Sequence, residues 1–220
     1  MTNIIYNTIE GLTMRIVKEP EVRKNEILDA AEKLFTVKGF EKATVQDILD
    51  AAGIAKGTFY YYFKSKEDAL DAIIKRRINE FTARVKTIAA NPELTPAAKL
   101  LSAIMALKPQ NPVQEEFNPV LHEPGNAQFH QKSLTESVLH VTPLLADIVG
   151  EGIEQHIFST PYPRESMELL LTAAMVLFDD GFFQWQPDEM AAKITAFICA
   201  MERILGAEPG SLAHIAGVFG

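Results

Sequence analysis

No run of about 18 apolar residues occurs in the 220-residue chain, so no segment reads as a membrane-spanning helix. The stretch MTNIIYNTIEGLTMRIVKEP lacks the basic run, apolar core and small-residue cleavage site of a secretory signal. A single cysteine, Cys199, excludes an intramolecular disulfide framework and fits a reducing cytoplasm, where the protein is expected. Its neighbours Ala196, Phe197 and Ile198 predict a buried thiol. The five histidines show no metal-ligand spacing, and no metal site is read. Gly-rich phosphate loop, nucleophile elbow and zinc motif are all missing. No catalytic constellation and no cofactor is therefore read, and the chain is not expected to be an enzyme.

Positive charge is scarce over most of the chain. The net charge is −8, yet residues 14–86 carry 15 Lys+Arg against 12 Asp+Glu, while residues 87–220 carry 6 against 16. The first third can approach a polyanion and the remainder is repelled by one. With 47% hydrophobic residues, the length supports a real core and one or two domains.

Helical periodicity dominates what is present. Arg23–Gly39 places Ile27, Ala31, Leu34 and Phe35 at helical spacing, and Gly39 stops the run. Thr44 and Asp47 form a variant capping box ahead of Val45, Ile48, Leu49 and Ala52, which share one face. Gly53 ends that helix, and a third helical run follows at Lys56–Phe63. Ser65 and Asp68 cap a fourth, which Asn91-Pro92 breaks. Two short helices joined by a tight Gly-containing turn are the helix-turn-helix pattern.

Three consecutive tyrosines lie in the third run. Ala55, Phe59, Tyr62 and Phe63 form its inward stripe. Lys56, Gly57, Thr58, Tyr60, Tyr61 and Lys64 form the outward one. An exposed phenol can donate to a phosphate oxygen. Gly57 weakens the helix and is better explained by a backbone that must approach another surface.

The segment TVQDILDAAGIAKGTFYYYFKSKEDAL resembles the DNA-binding domain of tetracycline-repressor-type (TetR/AcrR) regulators. The matching residues are Thr44-Val45, Asp47-Ile48, Ala51-Ala52-Gly53, Lys56-Gly57-Thr58, Tyr60, Tyr62-Phe63, and Ser65-Lys66 with Leu70. Ala55, often Ser or Thr in the family, and Tyr61, often His, depart from the pattern. The resemblance implies an all-α homodimer with an N-terminal three-helix DNA-binding domain and a C-terminal helical ligand-binding and dimerisation domain. It also implies a palindromic double-stranded DNA operator, usually repressed, and release by a small-molecule effector. Carried over by position, Thr44, Tyr60, Tyr61 and Lys66 contact phosphates. Lys56, Gly57 and Thr58 meet base edges, with Gln46 assisting. Domain bounds follow: 1–20 a flexible N-terminal extension, 21–68 the DNA-binding domain, 69–210 the ligand-binding and dimerisation domain.

The C-terminal part supports this reading. Residues 95–107, about 126–158, 163–181 and 187–205 read as helices, and Pro143 inside the second is expected to kink it. The last two are apolar over more than one face, which predicts a dimer interface built as a four-helix bundle. Phe117, His122, Phe129, His130, Phe178, Phe182 and Trp185 are the candidate ligand-pocket residues. The alternative function is a DNA-binding protein of the same fold without metabolite gating, either chromosome-organising or partner-gated.

Overall fold

Pro20, Pro96, Pro163 and Pro187 each open a helix, where the missing N–H is not needed and φ is already helical. The computed structural model describes residues 8–9, 12–13, 19–106, 124–179 and 181–218. Its helices are α1 (Pro20–Lys38), α2 (Val45–Ala52), α3 (Lys56–Tyr62), α4 (Lys66–Ala89) and α5 (Pro96–Met105). A single turn at Pro124–Asn126 leads into α6 (Ala127–Glu154), followed by α7 (Pro163–Leu177), α8 (Pro187–Leu205) and a last turn at Ala213–Val218. Ahead of α1, β1 (Thr8–Ile9) pairs antiparallel with β2 (Leu12–Thr13), Thr8 opposite Thr13 and Ile9 opposite Leu12. The fold is otherwise all-α among the described residues.

The chain divides into two compact units, Met1–Ile73 and Ile74–Gly220, with the boundary inside α4. In the first, Ile27, Leu28, Ala31 and Phe35 of α1 pack with Phe40, Ile48, Leu49, Phe59, Phe63, Leu70 and Ile73. Leu28 takes the buried place expected of Leu34, which is half-buried. α1 also begins three residues earlier than its apolar pattern suggests, because Pro20 can start it.

In the second unit one core joins α4, α5, α6, α7 and α8 through Val85, Leu100, Val141, Leu145, Met167, Ile198, Met201 and Leu205. The ammonium of Lys99 is buried and meets both Glu151 carboxylate oxygens, at 2.9 and 2.7 Å. Glu202, also buried, accepts from the Leu212 N–H at 2.9 Å and anchors the C-terminal turn. Helix α6 runs through Pro143 without a break. The stretch 163–181 stops being helical at Leu177, whose carbonyl accepts from the Trp185 indole at 2.9 Å.

Cys199 corrects an expectation: it is exposed. The buried stripe of α8 is Ile194, Ile198, Met201, Glu202 and Leu205, and Cys199 points off it with Ala196 and Ala200. Apolar neighbours in sequence said nothing of which stripe met the core.

Helix α6 ends four residues short of its expected terminus because the chain folds back on Gly152. Ile157 and Phe158 both donate to the Gly152 carbonyl, at 2.8 and 3.1 Å, with His156 at φ 59° between. The Phe158 ring then lies on the glycine so closely that a Cβ there would sit 2.2 Å from its Cδ2. Gly152→Ala should therefore expel the ring and destabilise the protein by about 1–3 kcal/mol, as overpacking does. Chemical denaturation of the variant beside the wild type checks this.

Candidate nucleic-acid interface

Helix α2 starts at a complete capping box. Thr44 Oγ1 accepts from the Asp47 N–H at 3.2 Å, and Asp47 Oδ2 accepts from the Thr44 N–H at 2.8 Å. The same carboxylate oxygen also accepts from the Thr44 hydroxyl, at 2.7 Å, and from the Lys38 ammonium. Lys38 first, then Thr44, holds the Asp47 carboxyl at about 2, below its ordinary 3.8. Helix α2 closes on Gly53, whose φ of 62° is the left-handed turn that glycine adopts freely, and Ile54 N–H reaches back to the Leu49 carbonyl at 3.0 Å.

That turn aims α3. Ala55 caps it through its carbonyl only, accepting from Thr58 and Phe59. Phe59 and Phe63 are buried with ring centroids 5.6 Å apart, and they fix the rotation of the helix. The opposite face carries Lys56, Gly57, Tyr60, Tyr61 and Lys64, all exposed, with Thr58 half-buried at its edge. Tyr61 is 76% exposed and Tyr60 47%. The Lys56 ammonium lies 5.9 Å from the centre of the Tyr60 ring. A Cβ added to Gly57 would meet nothing within 4 Å, so no internal contact requires glycine there.

Tyr62 was expected in the core and is only half-buried. Its ring is the hinge between Tyr61, edge-on at 4.8 Å, and Phe63 at 6.3 Å. Ala55 is exposed rather than part of the inward stripe, because it stands before the first helical turn.

The other expected DNA contacts are engaged within the protein. Gln46 is exposed, and its amide donates to Asp50 Oδ1 at 2.8 Å. Thr44 is exposed, but its hydroxyl serves Asp47. Lys66 is half-buried, and its ammonium donates to the carbonyls of Phe40, Ala43 and Glu41 at 2.8, 2.9 and 3.3 Å. Lys38, the ionic partner of the cap, was missed in the sequence; nine positions separate it from Asp47, and no periodicity links them.

Of the candidate ligand residues, Phe117 and His122 lie outside the described residues. Phe129 is buried. His130 Nε2 meets Asp179 Oδ2 at 2.8 Å, and the Phe182 ring stands 5.3 Å from the imidazole. Asp179 was not foreseen, since it lies just past the end of α7, 49 positions from His130. Phe178 packs edge-on against Phe197 at 5.4 Å. Trp185 stacks on Phe183 at 4.9 Å and carries the Lys193 ammonium 3.8 Å from its ring centre. An open groove of about 570 Å³ at Pro143, Asp147, Gly150, Glu154 and Arg164 contains none of these candidates. Among the described residues no group of three or more His, Cys, Asp or Glu could hold a metal, and no helix is long and apolar enough to cross a membrane.

Residues 27–73 match the family model of bacterial regulatory proteins of the tetR family, and residues 110–200 that of a tetracyclin repressor-like C-terminal domain. The HTH-type transcriptional repressor KstR2 of Mycobacterium tuberculosis is 25% identical over 151 residues, which cover 66% of this chain and 73% of that protein. Among solved structures, Salmonella enterica GusR aligns with a TM-score of 0.61 at 18% identity, over 87% of this chain and 99% of its own. RolR in complex with resorcinol aligns at 0.58 and 16%, over 91% and 94%. At these identities the structural likeness concerns the fold.

The cap carboxylate has a pH signature. A carboxyl held at about 2 when folded contributes stability that is complete above its ordinary 3.8 and is lost as pH falls toward 2. Asp47→Asn should melt below the wild type at pH 7, and the gap should narrow between pH 4 and pH 2. Melting curves across that range read it directly.

Proposed function

Because the chain belongs to the tetR family of bacterial regulatory proteins and is a DNA-binding transcriptional regulator, we propose that it represses a palindromic operator and is released by a small-molecule effector. The observation that carries the DNA half of this reading is the outer face of α3. Two phenols, an ammonium and a bare glycine stand exposed on a helix whose rotation is fixed by buried Phe59 and Phe63. In this reading Tyr60 and Tyr61 donate to phosphate oxygens, Lys56 and Thr58 reach base edges, Gln46 assists from α2, and the Gly57 backbone passes close to the duplex. Residues 21–68 form the DNA-binding domain, residues 69–210 bind effector and partner subunit, and the protein works in the cytoplasm.

A homodimer is supported by the second faces of α7 and α8. Helix α7 buries Met167, Leu170 and Leu171 and turns Leu169, 67% exposed, with Thr172 and Ala173 to solvent. Helix α8 turns out Ala192, Thr195, Ala196, Cys199 and Ala200. Small and apolar residues on two neighbouring helices suit a bundle with their symmetry mates. The effector reading is supported by the resorcinol held by RolR. In this reading His130, Phe178 and Phe182 offer the aromatic surface for such a ligand, with Trp185 and buried Phe129 as further rings. Ligand binding to the folded state alone raises the melting temperature, so a metabolite panel screened by thermal shift tests it.

Selection of bound duplexes from a random pool should return a near-palindrome with half-sites one helical turn, about 34–36 Å, or a multiple apart. Gly57→Ala separates fold from function. It should raise stability, by up to about 1 kcal/mol, because alanine is the better helix former and meets no clash. It should weaken binding to the selected duplex. Unchanged affinity would remove Gly57 from the interface. Ile198 is a core residue, so a charge there reports on folding. Ala173→Glu, on an exposed face, should instead yield a folded monomer by light scattering.

A further inference from the structure

We infer that Lys66 is a positioning residue for DNA binding, one that fixes the Phe40–Ala43 loop and the start of α2 and neutralises no phosphate. The inference rests on the reading of α2 and α3 as a duplex-binding surface. A lysine ammonium has three donors and no acceptor. Here it faces three carbonyl oxygens of one loop, at 2.8, 2.9 and 3.3 Å, while standing 4.5 Å from the centre of the Phe40 ring. A phosphate oxygen could be reached only by withdrawing a donor from one of those carbonyls.

The loop is gripped from its other side as well. Ala43 N–H closes on the Gly39 carbonyl at 3.1 Å, and the Thr44 N–H and hydroxyl both go to Asp47 Oδ2. Lys66 holds carbonyls and Asp47 donors of the same six-residue connection, residues 39–44, and together they set where α2 begins. Lys38 is committed to Asp47 in the same way. Among the described residues of α2, α3 and their flanking loops, Lys42, Lys56 and Lys64 stand exposed, and they are the cations placed to neutralise phosphate. The residue type at position 66 thus serves binding through geometry, not through charge at the duplex.

The two roles leave different traces in salt. Neutralising one phosphate contributes roughly 0.9 to the slope of log affinity against log salt concentration, on any sequence. The test uses the full-length protein and a labelled duplex of arbitrary sequence, titrated at several potassium chloride concentrations. Variants are Lys66→Met, which removes charge and donors, and Lys66→Arg, which keeps the charge but presents a planar fork that cannot converge on three carbonyls. Both should weaken binding by roughly tenfold, the scale of one lost charge-assisted hydrogen bond, with the salt slope of the wild type. In the DNA-free protein, the amide resonances of Glu41, Lys42, Ala43, Thr44 and Asp47 should move in both variants while those of α5 to α8 stay.

A Lys66→Met slope lower by about 0.9 per bound subunit would overturn the assignment. So would wild-type affinity for Lys66→Arg, or undisturbed loop amides. If Lys66→Met does not fold, the Arg variant decides alone. If the wild type itself binds no duplex, the DNA reading falls and takes the inference with it, an outcome distinct from binding with a reduced slope.

Discussion

One carboxylate oxygen holds the entry to the helix-turn-helix. Asp47 Oδ2 gathers the Thr44 N–H, the Thr44 hydroxyl and the Lys38 ammonium, so the last residue of α1 and the cap of α2 share a single acceptor. The turn between the two helices therefore cannot open without exposing three donors at once. Gly53 then redirects the chain, and the buried rings of Phe59 and Phe63 fix which side of α3 faces out. Each of these steps is local. Taken in order, they convert an eight-residue helix and a seven-residue helix, too short to persist alone, into an oriented pair.

The second unit is organised by different means. Its core is apolar and draws on residues from Phe81 to Ile215, and two buried ionic side chains in this unit have partners. Lys99 has Glu151, and Glu202 has the Leu212 N–H. The fold-back on Gly152 sets where α6 gives way to the approach to α7. What the core leaves outside is as informative: Leu169, Ala173, Ala196, Cys199 and Ala200 are surface residues that no soluble helix needs for its own packing.

Most of the helices could be read in the sequence because their punctuation is chemical. Thr44, Thr95, Gln186, Gly53 and the four helix-opening prolines each act within three or four residues of where they stand. The stretch 187–205 matches α8 end to end for that reason. What escaped was decided by distant partners. Leu177 ends α7 because an indole eight positions later takes its carbonyl. Cys199 is exposed because α8 met its core with the other stripe. The outward face of α3 was legible from spacing, and Tyr60 and Tyr61 do lie there. The engagement of Lys66 was not, since its acceptors lie 23 to 26 positions earlier. The candidate ligand residues are aromatic and imidazole side chains, and such groups pair locally as readily as they line a cavity.

The outward face of α3 has a consequence for how such a protein can change. Lys56, Gly57 and Tyr61 stand exposed, and the space beyond Gly57 is empty, whereas Tyr60 also leans edge-on against buried Phe59 at 5.5 Å. Substitutions there need no compensating repacking, whereas substitutions at Asp47, Phe59 or Lys66 disturb the frame. Single substitutions on that face are thus nearly neutral for folding, and the face can diversify over an unchanged frame. Duplicated copies are free to diverge at these positions while keeping the same scaffold.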